Sequence, residues 1–357
     1  MEYHCQTVGG SEINMIQKIL IPVFLSLSFF LKAQLPIEDV ELFSITTKSD
    51  TIDFIKLNAD TTQTKPTILF CQGSLPMPLI VTIDDQGPVI LAVNNFEYKT
   101  LLEKYNIVLI SMPHTPVVAD RSRLNEQCAY MPDTLKPNEY DIQYWTDNYL
   151  DKYVERGNAV LDFLRKQIWV DKNKIILLGH SQGTYVAASL AAQNPDIYAL
   201  GYFSGSIVGR YAQFILQIRN AARAGKISKE EAQTKIEEEY DWWKNVCRNT
   251  TDFSVKEADS KRTWKSFSAP VIAQITTLKT PVFIAYGTED DGPQMCDILP
   301  VYFELAGKTN YKMRPFIGCG HNFEEITPDG NHNWDEMHWN DAVNEFILWI
   351  ESLNESE

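Results

Sequence analysis

Several absences narrow the field. The sequence has no Cys-x-x-Cys pair and no paired Cys/His spacing, so no metal site is signalled. It has no block of Lys and Arg, and 47 Asp+Glu outnumber 32 Lys+Arg. A phosphate-tracking surface is therefore not expected, and nucleic acid is excluded as a partner. The acidity favours solubility and says little about fold. Apolar runs are short as well. The most prominent, Ile19 to Leu31, falls below the roughly 20 residues a bilayer-spanning helix needs. Lys18 precedes it and Lys32-Ala33 follows it. A short positive region, an apolar core and a small residue at its end describe a secretory signal peptide. The expectation is a leader with signal peptide over residues 1–33, cleavage near Ala33, and a mature chain from about Gln34. That chain would be periplasmic or secreted, with no stable membrane span. Met15 makes a more typical start than Met1.

Cysteine is sparse. Of Cys5, Cys71, Cys128, Cys247, Cys296 and Cys319, the leader takes the first and leaves an odd number. Export permits at most two disulfides with one thiol left over. Cys71 ends an apolar run and reads as a buried free thiol; the pairing of the others stays open.

What the chain does have is an alternation of strand and helix patterns. Val40 to Thr46 and Thr51 to Leu57 alternate as an antiparallel pair, and Thr67 to Cys71 is a continuous apolar run, a central strand. Phe96 to Tyr105 reads as a short amphipathic helix and Ile107 to Ser111 as the next strand. Met112 to Asp141 is a long, Pro-interrupted loop holding His114, and Tyr144 to Ile168 is the best helical pattern. Strands follow at Ile175 to Leu178 and Tyr198 to Ser204. From about Ile207 to Leu278 the strands stop. Tyr211 to Ala224 and Ser228 to Val246 read as helices, with Ser228 and Glu231 as a capping box. Strands resume at Pro281 to Tyr286 and Tyr311 to Ile317, and Asp341 to Leu353 closes the chain as a helix that His332 and His338 precede. Such alternation implies a mostly parallel sheet with helices on both faces.

One stretch carries chemistry. Gly179-His180-Ser181-Gln182-Gly183 joins the Ile175 strand to an Ala-rich helix from Thr184 to Gln193, which Asn194-Pro195 ends. A serine on so sharp a turn is held strained and exposed at the strand end, and bulk two residues before or after would collide. The motif in this setting resembles the nucleophile elbow of the α/β-hydrolase superfamily. That resemblance covers Val40 to Leu353. It implies an α/β-hydrolase domain over residues 34–357, with a helical cap inserted at about 205–278, and a triad in the chain order Ser, acid, His.

The resemblance assigns Ser181 as nucleophile. Asp290 is the acid, in the turn after the Pro281 strand, with Asp291 as fallback and Glu289 behind it. His321 is the base, flanked by Gly320 after the last strand. The backbone N–H groups of Gln182 and of Ser74, in the Gln72-Gly73-Ser74 turn, would form the oxyanion hole, each worth about 3 kcal/mol of barrier. Gln72 departs from the histidine usual in such a turn. Trp242, Trp243 and His114 are candidate substrate-lining residues. No cofactor and no metal is implied. The activity implied is a serine hydrolase acting on a small carboxylic ester; a short peptide or amide is the alternative substrate, and a non-catalytic binding protein the alternative class.

Overall fold

The apolar runs become the strands of one eight-stranded sheet. The computed structural model describes residue 37 and residues 39–353, except 59, 85–86, 134, 137–138 and 254–258. The expected leader, signal peptide and cleavage site lie outside the described residues.

The described residues open with β1 (Val40–Thr46) and β2 (Thr51–Leu57), an antiparallel pair, followed by β3 (Lys65–Cys71). After β4 (Ile80–Ile83), β5 (Gly87–Ile90) and α1 (Tyr98–Leu101) come β6 (Asn106–Ile110) and β7 (Val118–Asp120). Two helices, α2 (Ile142–Asp147) and α3 (Leu150–Leu164), lead to β8 (Val170–His180), α4 (Gly183–Gln193) and β9 (Ala199–Phe203). Helices α5 (Arg210–Arg223), α6 (Lys229–Arg248), α7 (Lys261–Ser266) and α8 (Ile272–Thr277) intervene before β10 (Val282–Gly287). Then come α9 (Leu299–Ala306), β11 (Tyr311–Phe316), a hairpin of β12 (Glu324–Ile326) and β13 (His332–Met337), and α10 (Trp339–Leu353).

The sheet order is β1-β2-β6-β3-β8-β9-β10-β11. All pairings from β6 to β11 are parallel, and β2 runs against its neighbours. Period-two alternation divides the apolar residues between two cores. In β8, Ile175 and Leu177 face one core while Ile176 and Leu178 face the other. Helices α3, α4, α8 and α9 cover the first face, and α10 covers the second with Phe346, Ile347 and Ile350. Both faces being buried explains why these strands read as unbroken apolar runs. Strands β9 and β10 pair directly, with Leu200 opposite Val282, so the helical segment between them leaves and rejoins without interrupting the sheet.

Four local readings need correction. The helix expected over Phe96 to Tyr105 is a single turn, α1, with no side chain capping its start. The expected Tyr144 to Ile168 helix is broken at Asn148, whose backbone leaves the helical region at ψ 76. Its amide donates to Asp259 at 2.9 Å and its side-chain oxygen accepts from the Tyr153 hydroxyl at 2.9 Å, so tertiary bonds override the local pattern. The loop from Met112 contains β7, which pairs with β4 in a separate three-stranded sheet. The residues from His332, read as leading into the closing helix, form β13, pairing with β12.

Candidate active site

Every candidate catalytic residue follows the carboxyl end of a strand, where the loops of a parallel sheet gather. Ser181 follows β8, the Gln72-Gly73-Ser74 turn follows β3, Asp290 follows β10 and His321 follows β11. The elbow is as strained as its sequence implies, with Ser181 at φ 54°. Its N–H donates to the Phe203 carbonyl at 2.9 Å and its carbonyl accepts from the Thr184 hydroxyl at 2.6 Å, which pins the turn on both sides. The flanking glycines are needed for close approach. A Cβ on Gly183 would lie 1.9 Å from the Cys71 carbonyl oxygen, and one on Gly179 would lie 2.5 Å from that of Gly183. The β10 and β11 loops close on each other by the same device: a Cβ on Gly287 would meet the Cys319 carbonyl oxygen at 2.2 Å.

These loops bring three side chains into one hydrogen-bonded chain. His321 Nδ1 donates to Asp290 Oδ2 at 2.5 Å, and its Nε2 lies 2.9 Å from Ser181 Oγ. With Nδ1 protonated, Nε2 is free to accept the serine proton. Burial pulls the imidazolium of His321 down, but the hydrogen bond and charge of Asp290, with the charge of Glu324 added, outweigh it and leave the pKa above its ordinary value. The neighbouring carboxylates are placed elsewhere. Glu289 is exposed and its N–H donates to Cys319; Asp291 is exposed too, with its carboxyl held above the usual range by desolvation and by Asp290.

The two candidate backbone donors belong to Gln182, the residue after Ser181, and to Ser74, the residue after Gly73. Gln182 opens α4, and the Gly73 Cβ position is 3.8 Å from Ser181 Cβ. Neither the Gln182 N–H nor the Ser74 N–H is used by another group among the described residues. Residues that the sequence did not single out for function hold this region. The Tyr144 hydroxyl donates to the Ser74 carbonyl at 2.8 Å. Arg210 of α5 donates to Gln182 Oε1 at 3.3 Å and pairs with Asp259 at 2.7 Å, while Asn148 bridges Asp259 and the Gln182 amide. No sequence pattern marks them, because their partners lie far away in the chain.

The candidate lining residues separate. Trp242 lines a cavity with Tyr211, Phe214, Asp259 and Trp264, none of which belongs to the elbow, and Trp243 stacks on Tyr211 with centroids 4.4 Å apart. His114 is not brought to Ser181. It pairs with Asp147 at 2.8 Å and lines a different, polar cavity with Asp50 and Arg156. His332 and His338, the other histidines near the closing helix, are engaged by Glu324 and Asp341. Cys71, Cys128, Cys247, Cys296 and Cys319 are free thiols, and burial pushes Cys71, behind the elbow, up to about 12, far from a reactive thiolate.

Fold and site together define an α/β hydrolase. The Abhydrolase family profile matches residues 54–224, and the prolyl oligopeptidase family profile matches residues 145–343. The chain belongs to the prolyl oligopeptidase family. No curated protein matches it in sequence. Among solved structures, a Klebsiella pneumoniae protein assigned as a dienelactone hydrolase superposes with a TM-score of 0.51 at 11% identity, covering 87% of this chain and 98% of its own. The α/β hydrolase GrgF from Penicillium gives 0.50 at 14%, covering 88% and 98%. A Bacteroides ovatus protein assigned as a dipeptidyl aminopeptidase IV gives 0.50 at 13%; there the match covers 88% of this chain but only 35% of the longer one. At such identities the likeness is one of fold.

Proposed function

We propose that the protein is an exported serine hydrolase that cleaves small carboxylic esters through an acyl-enzyme. The observation that carries this reading is the unbroken chain Asp290–His321–Ser181 at 2.5 and 2.9 Å. In the first half-reaction His321 Nε2 takes the Ser181 proton as Oγ attacks the carbonyl carbon. The carbonyl oxygen becomes an oxyanion held by the Gln182 and Ser74 N–H groups. The carbonyl re-forms, the bond to the leaving oxygen breaks, and His321 returns its proton to the departing alcohol. Water then attacks the acyl carbon by the same path and frees the acid. Asp290 keeps the imidazole in the productive tautomer and stabilises the imidazolium. The helical segment 205–278 acts as the cap; the contact of Arg210 with Gln182 supports this placement.

A second reading, hydrolysis of short peptides or amides by the same groups, is favoured by the prolyl oligopeptidase family match. A panel of chromogenic esters, acetylated sugars and aminoacyl amides decides between them, run beside Ser181→Ala. The ester reading expects the highest kcat/KM on an ester and none above background in the variant. If only amides turn over, the second reading replaces it. If nothing turns over and a fluorophosphonate fails to label Ser181, the fold serves binding.

A further inference from the structure

Gln182 follows the proposed nucleophile and opens α4, yet its side chain does not cap that helix. Both of its polar atoms are bound elsewhere. Oε1 accepts from Arg210 at 3.3 Å, and Nε2 donates to Asn148 Oδ1 at 3.4 Å. The Asn148 amide donates in turn to Asp259 Oδ1 at 2.9 Å, and the other Asp259 oxygen pairs with Arg210 at 2.7 Å. Gln182, Asn148, Asp259 and Arg210 thus close into a ring of four side chains. Gln182 and Asn148 are buried within it.

The ring ties three separate pieces of chain to the elbow. Asn148 lies at the break between α2 and α3, and its carbonyl also accepts the Thr263 hydroxyl of α7. Asp259 stands next to Ser260, which caps α7. Arg210 begins α5, and its guanidinium fork holds Gln182 and Asp259 at once, which the single ammonium of a lysine does less well. One turn on, Gln213 of the same helix lies against the Asp290 loop: a Cβ on Gly292 would meet its Oε1 at 2.5 Å. The first turn of α5 therefore bears both on the residue after Ser181 and on the loop of the proposed acid.

A buried polar ring with every member paired is rigid, because losing one member leaves two others unsatisfied. It holds Gln182 from the side chain, while α4 fixes its backbone at φ −56°, ψ −32°. The Gln182 N–H bonds to no other group among the described residues. A donor of this kind stabilises an oxyanion only if it is aimed before the charge develops.

We propose that this ring aims the Gln182 N–H, so that Arg210, Asp259 and Asn148 are positioning residues for the oxyanion-forming step. Each acts through Gln182. The proposal rests on Ser181 being the nucleophile and the Gln182 N–H an oxyanion donor.

The test uses a fluorophosphonate, whose attack by Ser181 also places charge on an oxygen at the donors, and separates its limiting rate kinact from its binding constant KI. Gln182→Met keeps the backbone donor and the Arg210–Asp259 pair but removes the ring. Its kinact should fall about tenfold, part of the roughly 10²–10³ that losing a whole donor costs, with KI within about twofold of wild type. Labelling should still reach one adduct per chain. Arg210→Met should lower kinact similarly, and the double variant should lose little more than either single one, because both changes break the same ring. Arg210→Lys, which keeps the charge beside Asp259, takes its place if Arg210→Met does not fold. A wild-type kinact in Gln182→Met, losses that multiply in the double variant, or incomplete labelling at the wild-type rate overturns the proposal. A wild-type protein that is not labelled at all overturns instead the reading on which it rests.

Discussion

His180 Nε2 donates to the backbone carbonyl of His321 across 3.2 Å. The residue before the proposed nucleophile thus holds the residue proposed as its base. The His180 ring also packs edge-on against Trp339, centroids 4.8 Å apart, so the elbow, the His321 loop and the start of α10 form one unit. Burial first, and the nearby His321 second, bring the His180 pKa down to about 3.

Between the ordinary histidine pKa of about 6.5 and the folded value of about 3, the unfolded chain carries a proton on His180 that the folded chain does not. Stability should therefore fall as pH drops through this window, with a slope from this group approaching about 1.4 kcal/mol per pH unit. Urea denaturation at pH 4, 5, 6 and 7 measures it. His180→Gln should lose this share of the slope; an unchanged slope would mean that His180 is protonated in the fold.

The base must be neutral to accept the Ser181 proton. Its pKa is raised, so the acid limb of kcat/KM should have its midpoint above the ordinary 6.5, with activity falling as pH drops through it. Asp290→Asn should lower turnover by about 10⁴ by leaving the wrong tautomer. Asp291→Asn should cost far less, since Asp291 does not reach His321. Steady-state rates across pH 5 to 9 test both statements, and reversed effects of the two variants would move the acid to Asp291.

Glu324 is buried beneath the His321 loop. Its carboxylate accepts the Asn322 N–H at 2.7 Å and pairs with His332 at 2.6 Å. Glu324→Ala should leave that N–H unpaired, at a cost of about 1–3 kcal/mol, and loosen His321. The denaturation midpoint and turnover should fall together. Unchanged values for both would show that the loop is held by other bonds.

How much was legible in the sequence depended on how local each signal is. The strained turn at Ser181 was legible because its motif, its strand and its helix are contiguous. Asp290 and His321 were found by applying a chain order to turns that follow strands, and the structure puts them in one hydrogen-bonded chain with Ser181. The sheet strands were legible because burial on both faces makes them continuous apolar runs. The β4–β5–β7 sheet was not, because β7 is three residues long and gains its pairing from β4, far away in the chain. Likewise the break at Asn148 and the roles of Tyr144 and Arg210 arise from partners such as Asp259, Ser74 and Gln182, whose proximity no local pattern encodes. His114 misled for the same reason. Its position after a strand suggested the site, while its partner Asp147 holds it elsewhere.

The central claim is that Ser181 is a nucleophile activated by His321. Intact-protein mass spectrometry after treatment with a fluorophosphonate tests it most directly. One phosphonyl adduct, mapped to Ser181, is expected on the wild-type protein. It should be absent in Ser181→Ala and slowed by orders of magnitude in His321→Ala. A wild-type protein that folds yet gains no adduct, or an adduct that persists in Ser181→Ala, would contradict it.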